Sequence, residues 1–268
     1  MYKYDVVIVG SGIGALCCGS LLSLSGKKVL ICEAHSKPGG VAHSFKRNGY
    51  TFESGPSLWS GIGKWPTTNP LGQILKLLDE EVELFQYKGW RVIVPEGNFN
   101  LDVGEEPFKQ TIKTLRGEKS VKEWESFISG IKPLSQIINE IPLLSFSPES
   151  INFLDLINLT SKFLPNIKQI PKINKGFGNL VNNHLEDPFL RNWVDLLSFL
   201  ISGMSMHDTN TAAMATLFNE WFEPNSYLEY PKGGSESIVK ALINGFKKNG
   251  GELILSSRVK TINFNKNL

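Results

Sequence analysis

A β-branched run, a glycine turn, a helix and a second β-branched run closed by an acid follow one another without interruption in residues 5–33. Asp5-Val6-Val7-Ile8-Val9 predicts a strand buried on both faces, and it breaks off at Gly10-Ser11-Gly12-Ile13-Gly14-Ala15. Residues from Gly12 to Leu24 suit a helix that stops near Gly26, and Lys27 to Glu33 reads as a second buried strand. In that setting each small residue has a task. Gly10 permits the tight turn, Gly12 lets backbone approach a pyrophosphate at the helix N-terminus, and Ala15 allows close helix-to-strand packing. Glu33 is expected to accept from ribose hydroxyls. An acid there repels a 2′-phosphate, so FAD or NAD is expected and NADP is not.

The next residues favour the longer cofactor. A paired glycine, Gly39-Gly40, follows Glu33 closely, and the chain runs on through Phe45, Tyr50 and Phe52 to Glu53-Ser54-Gly55-Pro56-Ser57. A plain NAD fold requires neither segment. Both could bring backbone close to a flat, extended ligand.

Three strings, DVVIVGSGIGALCC, CEAHSKPGGVAHSF and GYTFESGPSLWSG, resemble the N-terminal signature of the carotenoid isomerase and phytoene desaturase flavoproteins, on an isomerase-like side branch. The resemblance implies an α/β fold: a Rossmann-type, glutathione reductase-like FAD-binding domain with an inserted, mainly helical substrate domain. It assigns Gly10, Ser11, Gly12 and Gly14 to the pyrophosphate, Glu33 to the ribose, and Gly39 and Gly40 to the phosphate and ribityl region, with Ile13, Ala15 and Ala34 also in the cofactor site. Ser54, Gly55 and Pro56 are expected at the flavin ring, and a backbone group of Val259 at the adenine edge. Many relatives have an arginine after the paired glycine, whereas this chain has Val41. A guanidinium contact to phosphate is therefore not expected there.

The middle of the chain predicts helices. Asn69-Pro70, Ser147-Pro148 and Asp187-Pro188 are cap residues followed by proline, Ser120-Val121-Lys122-Glu123 reads as a capping box, and Thr209 precedes a helix from Thr211 to Trp221. Trp90–Val94 and Asn98–Leu101 read as strands around a turn at Pro95-Glu96-Gly97. For the apolar stretch from Ile141 to Ile170, helix core, a substrate channel and a peripheral membrane face remain open readings. Tyr230-Pro231-Lys232-Gly233-Gly234-Ser235 then opens a helix from Ile238 to Lys248, followed by strands at Leu253–Ser256 and Arg258–Ile262. By resemblance, 1–65 and 226–268 form the FAD-binding domain, and 66–225 the substrate domain. Relatives continue well past the position of Leu268. A fragment, a truncated reading frame and one half of a split protein are the readings left open, with a missing C-terminal half or a second copy as partner.

Composition excludes several classes. A formal charge of +2 with scattered cations argues against nucleic acid. No apolar stretch approaches the roughly 20 residues that a membrane-spanning helix needs. Cys17, Cys18 and Cys32 offer neither metal spacing nor an even disulfide set, and the N-terminus reads as a strand without a leader, so a reducing, cytoplasmic setting is expected. His35, His43, His184 and His207 show no metal spacing, so no metal and no catalytic side chain are assigned. His43 and Glu53 are candidates for holding the cofactor. Trp59, Trp65, Trp90 and Trp221 are candidates for a polyene tunnel or for core. The activity implied is flavin-dependent isomerisation or desaturation of an apolar polyene. The alternatives are a non-catalytic FAD-binding half that needs a partner segment, and an amine oxidase-like flavoenzyme.

Overall fold

The computed structural model describes residues 3–56, 59–63, 65–67, 69–87, 89–102, 104–140, 171, 175–222 and 228–263. These fall into two compact units, residues 1–87 with 228–268, and residues 88–227. The expected helix at Ser147-Pro148, the stretch 141–170 and the Trp221 side chain lie outside the described residues.

The first unit is a Rossmann-type α/β domain. Strand β1 (Val6–Val9) pairs in parallel with β2 (Val29–Cys32), and Glu252–Ile254 pairs in parallel with the other edge of β2. Parallel neighbours need a crossover, which helix α1 (Ile13–Leu24) supplies between β1 and β2. The Ser235–Lys248 helix leads into the third strand and packs on α1. Leu16, Ile31, Ile238, Leu242 and Phe246 form the core between helices and sheet. Gly19 lets α1 approach: a Cβ there would stand 2.9 Å from Ile31 Cδ1 and 3.3 Å from Phe246.

The expectation that β1 is buried on both faces does not hold. Val7 is 54% and Val9 57% exposed, because the packed helices cover the face that carries Val6 and Ile8. The strand expected at Arg258–Ile262 is also not formed, since no neighbouring strand pairs with it among the described residues. Residues 66–87, expected in the inserted domain, belong to the first unit. The Pro70–Leu77 helix contributes Leu71, Ile74 and Leu75 to its core, and Leu84–Tyr87 pairs antiparallel with Leu228–Pro231. Asn69 caps that helix as predicted, accepting from the N–H groups of Leu71 and Gly72 at 2.8 and 3.3 Å.

The second unit is a hairpin, Gly89–Val94 with Gly97–Asp102, followed by helices Glu105–Arg116, Glu118–Glu140, Gly178–His184, Pro188–Ser202 and Thr211–Phe222. Phe108, Trp124, Phe127, Phe177 and Phe218 meet in its core. The capping box at Ser120 is a correction. The helix has already begun at Glu118, so the Ser120 hydroxyl donates to Asp187 Oδ2 at 2.7 Å. Glu123 accepts from the N–H groups of Glu186 and Asp187 at 2.8 and 2.7 Å. Asp187 is the cap that the sequence indicates, accepting from the Phe189 and Leu190 N–H groups.

Candidate nucleotide-binding site

The site begins where β1 stops. Gly10 adopts φ +93, a conformation that strains any L side chain, and its N–H donates to the Cys32 carbonyl at 2.8 Å. A Cβ built on Gly10, Gly12 or Gly14 would meet nothing within 4 Å. Packing alone therefore does not demand bare backbone at Gly12 and Gly14. An extended ligand laid over the start of α1 does demand it, and side chains there would fill its cradle. The close helix-to-sheet approach assigned to Ala15 is made instead by Gly19, while Ala15 stays half-buried.

Glu33 sits across the turn from this cradle. Its Oε2 accepts from the Ser11 N–H at 2.8 Å and the Ser11 hydroxyl at 2.6 Å, and its Oε1 from the His35 N–H at 2.7 Å. Partial burial opposes its charge. The bonds from Ser11 and His35 outweigh that penalty and hold the carboxyl below the usual range for glutamate. An ionised acceptor at the strand end suits a ribose hydroxyl and repels a phosphate on it. Ala34 beside it is exposed. Ser256 and Ser257 donate to the carbonyls of His35 and Glu33 at 3.0 and 2.7 Å, which carries the chain past this end of the sheet towards Val259.

The second glycine pair is docked on the first turn. Gly39 N–H donates to the Ser11 carbonyl at 2.9 Å, and Gly12 and Gly39 form a parallel bridge. Gly39 has φ +108, and a Cβ there would come within 2.8 Å of Val239; one on Gly40 would stand 3.1 Å from Gly12 Cα. These glycines thus serve the protein's own packing as well as any ligand. Val41 is 72% exposed and places no cation at the turn.

Ser54-Gly55-Pro56 is held from three sides. A Cβ on Gly55 would be 2.5 Å from the Val41 carbonyl oxygen, Pro56 O accepts from the Ser235 hydroxyl, and Ser54 Oγ lies 3.0 Å from His43 Nε2. His43 Nδ1 is 2.7 Å from the Gly40 carbonyl. A carbonyl only accepts, so Nδ1 carries the proton, and in the neutral ring the Ser54 hydroxyl donates to Nε2. His43 therefore clasps the second glycine turn to the Ser54 turn.

Two acids take roles that sequence reasoning does not foresee: Glu53, a candidate for holding the cofactor, bonds the protein's own backbone, and Glu229 is not among the candidates singled out. Glu53 Oε1 accepts from the Ser235 N–H, so the glycine turn at Gly233-Gly234, which opens a helix as a phosphate loop does, is capped by the protein's own carboxylate. Glu229, 2% exposed, accepts from Ile62 N–H at 2.8 Å and Gly63 N–H at 3.1 Å. It fastens the returning strand to the 59–63 turn. The hairpin Ser44–Arg47 and Tyr50–Glu53 that carries Glu53 turns at Asn48-Gly49, both at positive φ, a pair that the sequence reading passes over.

The remaining candidates are spread out. His184 bonds Ser126 at 2.8 Å and lies over Gly130, and His207 lies over Gly178, both within the second unit. Among the described residues no group of histidines, cysteines and acids could hold a metal, and no helix is long and apolar enough to cross a membrane. Trp59 donates to the Ser235 hydroxyl at 3.1 Å, Trp65 is exposed, and Trp90 packs on the core of the second unit.

Residues 8–75 match the NAD(P)-binding Rossmann-like domain family. The chain is 25% identical over 262 residues to prolycopene isomerase 1, chloroplastic, of an Oncidium hybrid cultivar, covering 97% of this chain and 44% of that protein. It is 25% identical to the lycopene-forming phytoene desaturase of Pantoea ananas, covering 94% of this chain and 49% of that protein. The resemblance seen in the N-terminal motifs thus extends over nearly the whole chain, which spans less than half the length of these curated relatives. A solved putrescine oxidase, the wild type bound to putrescine, matches 94% of this chain and 51% of its own at TM-score 0.61 and 17% identity. That likeness is one of fold. Together these findings make the chain a Rossmann-type protein with the frame for a nucleotide or flavin cofactor.

Proposed function

We propose that this chain forms the FAD-binding half of an oxidoreductase that acts on an apolar, carotenoid-like polyene by cis–trans isomerisation or desaturation. The open cradle in front of Gly12 and Gly14, faced by an ionised Glu33, carries the reading. The relatives named as prolycopene isomerase and phytoene desaturase support the substrate class. A conjugated hydrocarbon presents no acidic proton, carbonyl or leaving group, so side-chain acid–base chemistry has little to act on. A bound flavin supplies the electron and hydride transfer.

The chain's own residues do the holding. The turn from Gly10 to Ala15 and the N-terminus of α1 receive the pyrophosphate, Glu33 with Ala34 the ribose, and the backbone near Val259 the adenine edge. Gly39 and Gly40 lie along the chain of the cofactor, and Ser54, Gly55 and Pro56 approach the ring. The second unit, centred on its aromatic core, is the candidate substrate domain, and a lipid surface is a candidate source of the water-insoluble substrate.

Two other readings have specific support. The exposed Val7 and Val9 favour a non-catalytic half that needs a complementary segment, and the putrescine oxidase fold favours an amine oxidase-like enzyme. The test is the visible spectrum of purified residues 1–268 with and without added FAD. A flavin spectrum lost on Gly12→Val supports the cofactor, and a protein that stays colourless in excess FAD overturns binding by this half alone. Polyene turnover under reducing conditions, or peroxide release from amines, then separates the enzyme readings.

A further inference from the structure

The hydroxyl of Ser11 is completely buried, and it is used twice. It donates to Glu33 Oε2 at 2.6 Å and accepts from the Gly39 N–H at 3.3 Å, a donor shared with the Ser11 carbonyl at 2.9 Å. One side chain thereby joins the first glycine turn, the strand-end acid and the second glycine turn. An ionised carboxylate offers about four acceptor sites, two on each oxygen. Both sites on Oε2 are taken by Ser11, through its N–H and its hydroxyl, and one of those on Oε1 is taken by the His35 N–H. A single acceptor site on Oε1 is left.

We infer that Ser11 is a positioning residue that sets nucleotide specificity: it pins Glu33 so that one carboxylate oxygen alone receives a ribose hydroxyl, and it couples that contact to the Gly39 turn. The inference rests on the nucleotide-binding reading of the preceding section. A pinned acid cannot swing aside to admit a ribose phosphate, whereas one held by the backbone N–H groups of residues 11 and 35 alone has more room to do so. The preferred ligand is therefore an adenosine diphosphate group with an unphosphorylated ribose. The Ser11 bonds also help to hold the Glu33 carboxyl below the usual range for glutamate, against the partial burial that opposes its charge.

The experiment uses the whole chain as wild type, Ser11→Ala, Glu33→Ala and the double variant. Binding of ADP and of 2′-phosphorylated ADP is followed by titration calorimetry at neutral pH, with thermal melting as a check on folding. Loss of a hydrogen bond to a charged group is expected to weaken ADP binding by about tenfold in Ser11→Ala. In the same variant the preference for ADP over its 2′-phosphorylated form narrows. In the Glu33→Ala background, Ser11→Ala has an effect below about twofold, because no side-chain acceptor is left there for the Ser11 hydroxyl. An equal loss in both backgrounds, or an unchanged preference, overturns the inference while leaving the cofactor reading intact. If wild type binds neither ADP nor FAD, the cofactor reading itself fails and takes the inference with it. Should Ser11→Ala fold poorly, Ser11→Cys keeps the volume, weakens the donor and is read in the same way.

Discussion

Glu53 places a carboxylate oxygen on the backbone N–H of Ser235, 182 residues further along the chain. Gly234 lies beneath that contact, where a Cβ would stand 2.8 Å from Glu53 Oε1. The negative charge faces the positive end of the Ser235–Lys248 helix, and the helix in turn carries Ile238, Leu242 and Phe246 into the core. Loss of a helix cap costs about 1 kcal/mol, and partial burial raises the figure. Glu53→Ala is therefore expected to lower the stability of residues 1–268 by about 1–2 kcal/mol in urea unfolding. Glu53→Gln, which keeps an acceptor oxygen, should lose less.

Gly39 makes a different demand on the same helix. Alanine at this position meets a strained φ and the Val239 side chain together. Each effect is worth about 1–3 kcal/mol, so Gly39→Ala should lower the melting temperature clearly. Adding Val239→Ala removes the clash but not the strain. Val239 is itself core, so the comparison is made within that background: Gly39→Ala should cost less beside Val239→Ala than in the wild type, and no cost there would show that backbone strain contributes nothing.

The features legible in the sequence are those whose partners are close along the chain. Gly10 turns where β1 ends, and Asn69 and Asp187 cap helices through N–H groups two and three residues ahead. The cradle with Glu33 was legible because strand, turn, helix and acid form one local unit. The misreadings come from distance. Ser120 and Glu123 have the spacing of a capping box, but they bond to residues 186–187, which no local rule anticipates. Glu53 and Glu229 act across more than 160 residues, as their separations of 182 from Ser235 and 167 from Ile62 show. Arg258–Ile262 has strand composition, yet a strand exists only where a neighbour completes its ladder.

Asp187 gives the second unit a pH dependence. Burial opposes its charge, but the Ser120 hydroxyl, Arg116 at 3.0 Å and the Leu190 N–H hold its carboxyl below the ordinary value. A lowered folded-state value means that the stabilisation is fully present above the unfolded value of about 3.9 and is lost as pH falls through the folded one. Asp187→Asn keeps an oxygen for the cap but loses the charge that Ser120 and Arg116 face. It should cost about 2 kcal/mol at neutral pH. The gap between the denaturation midpoints of variant and wild type should hold down to about pH 4 and close only as pH falls further, through the folded value; a gap that persists unchanged in stronger acid would rule out the charge as the cause.

His43 and Ser54 supply the sharpest test of how the site is divided. Their bond links the Gly40 carbonyl to the turn proposed to face the flavin ring, and it touches neither Glu33 nor the Gly10–Gly14 turn. His43→Ala and Ser54→Ala should each weaken FAD binding by about 3–10-fold, the worth of one neutral hydrogen bond, and leave ADP binding unchanged. The double variant should be no worse than His43→Ala alone, because that change already removes the contact that Ser54→Ala breaks. Fluorescence titration with FAD, set against calorimetry with ADP, reads the difference directly. Parallel losses for both ligands would mean that the clasp supports the whole nucleotide site and not its flavin end, and the assignment of Ser54, Gly55 and Pro56 to the ring would fall.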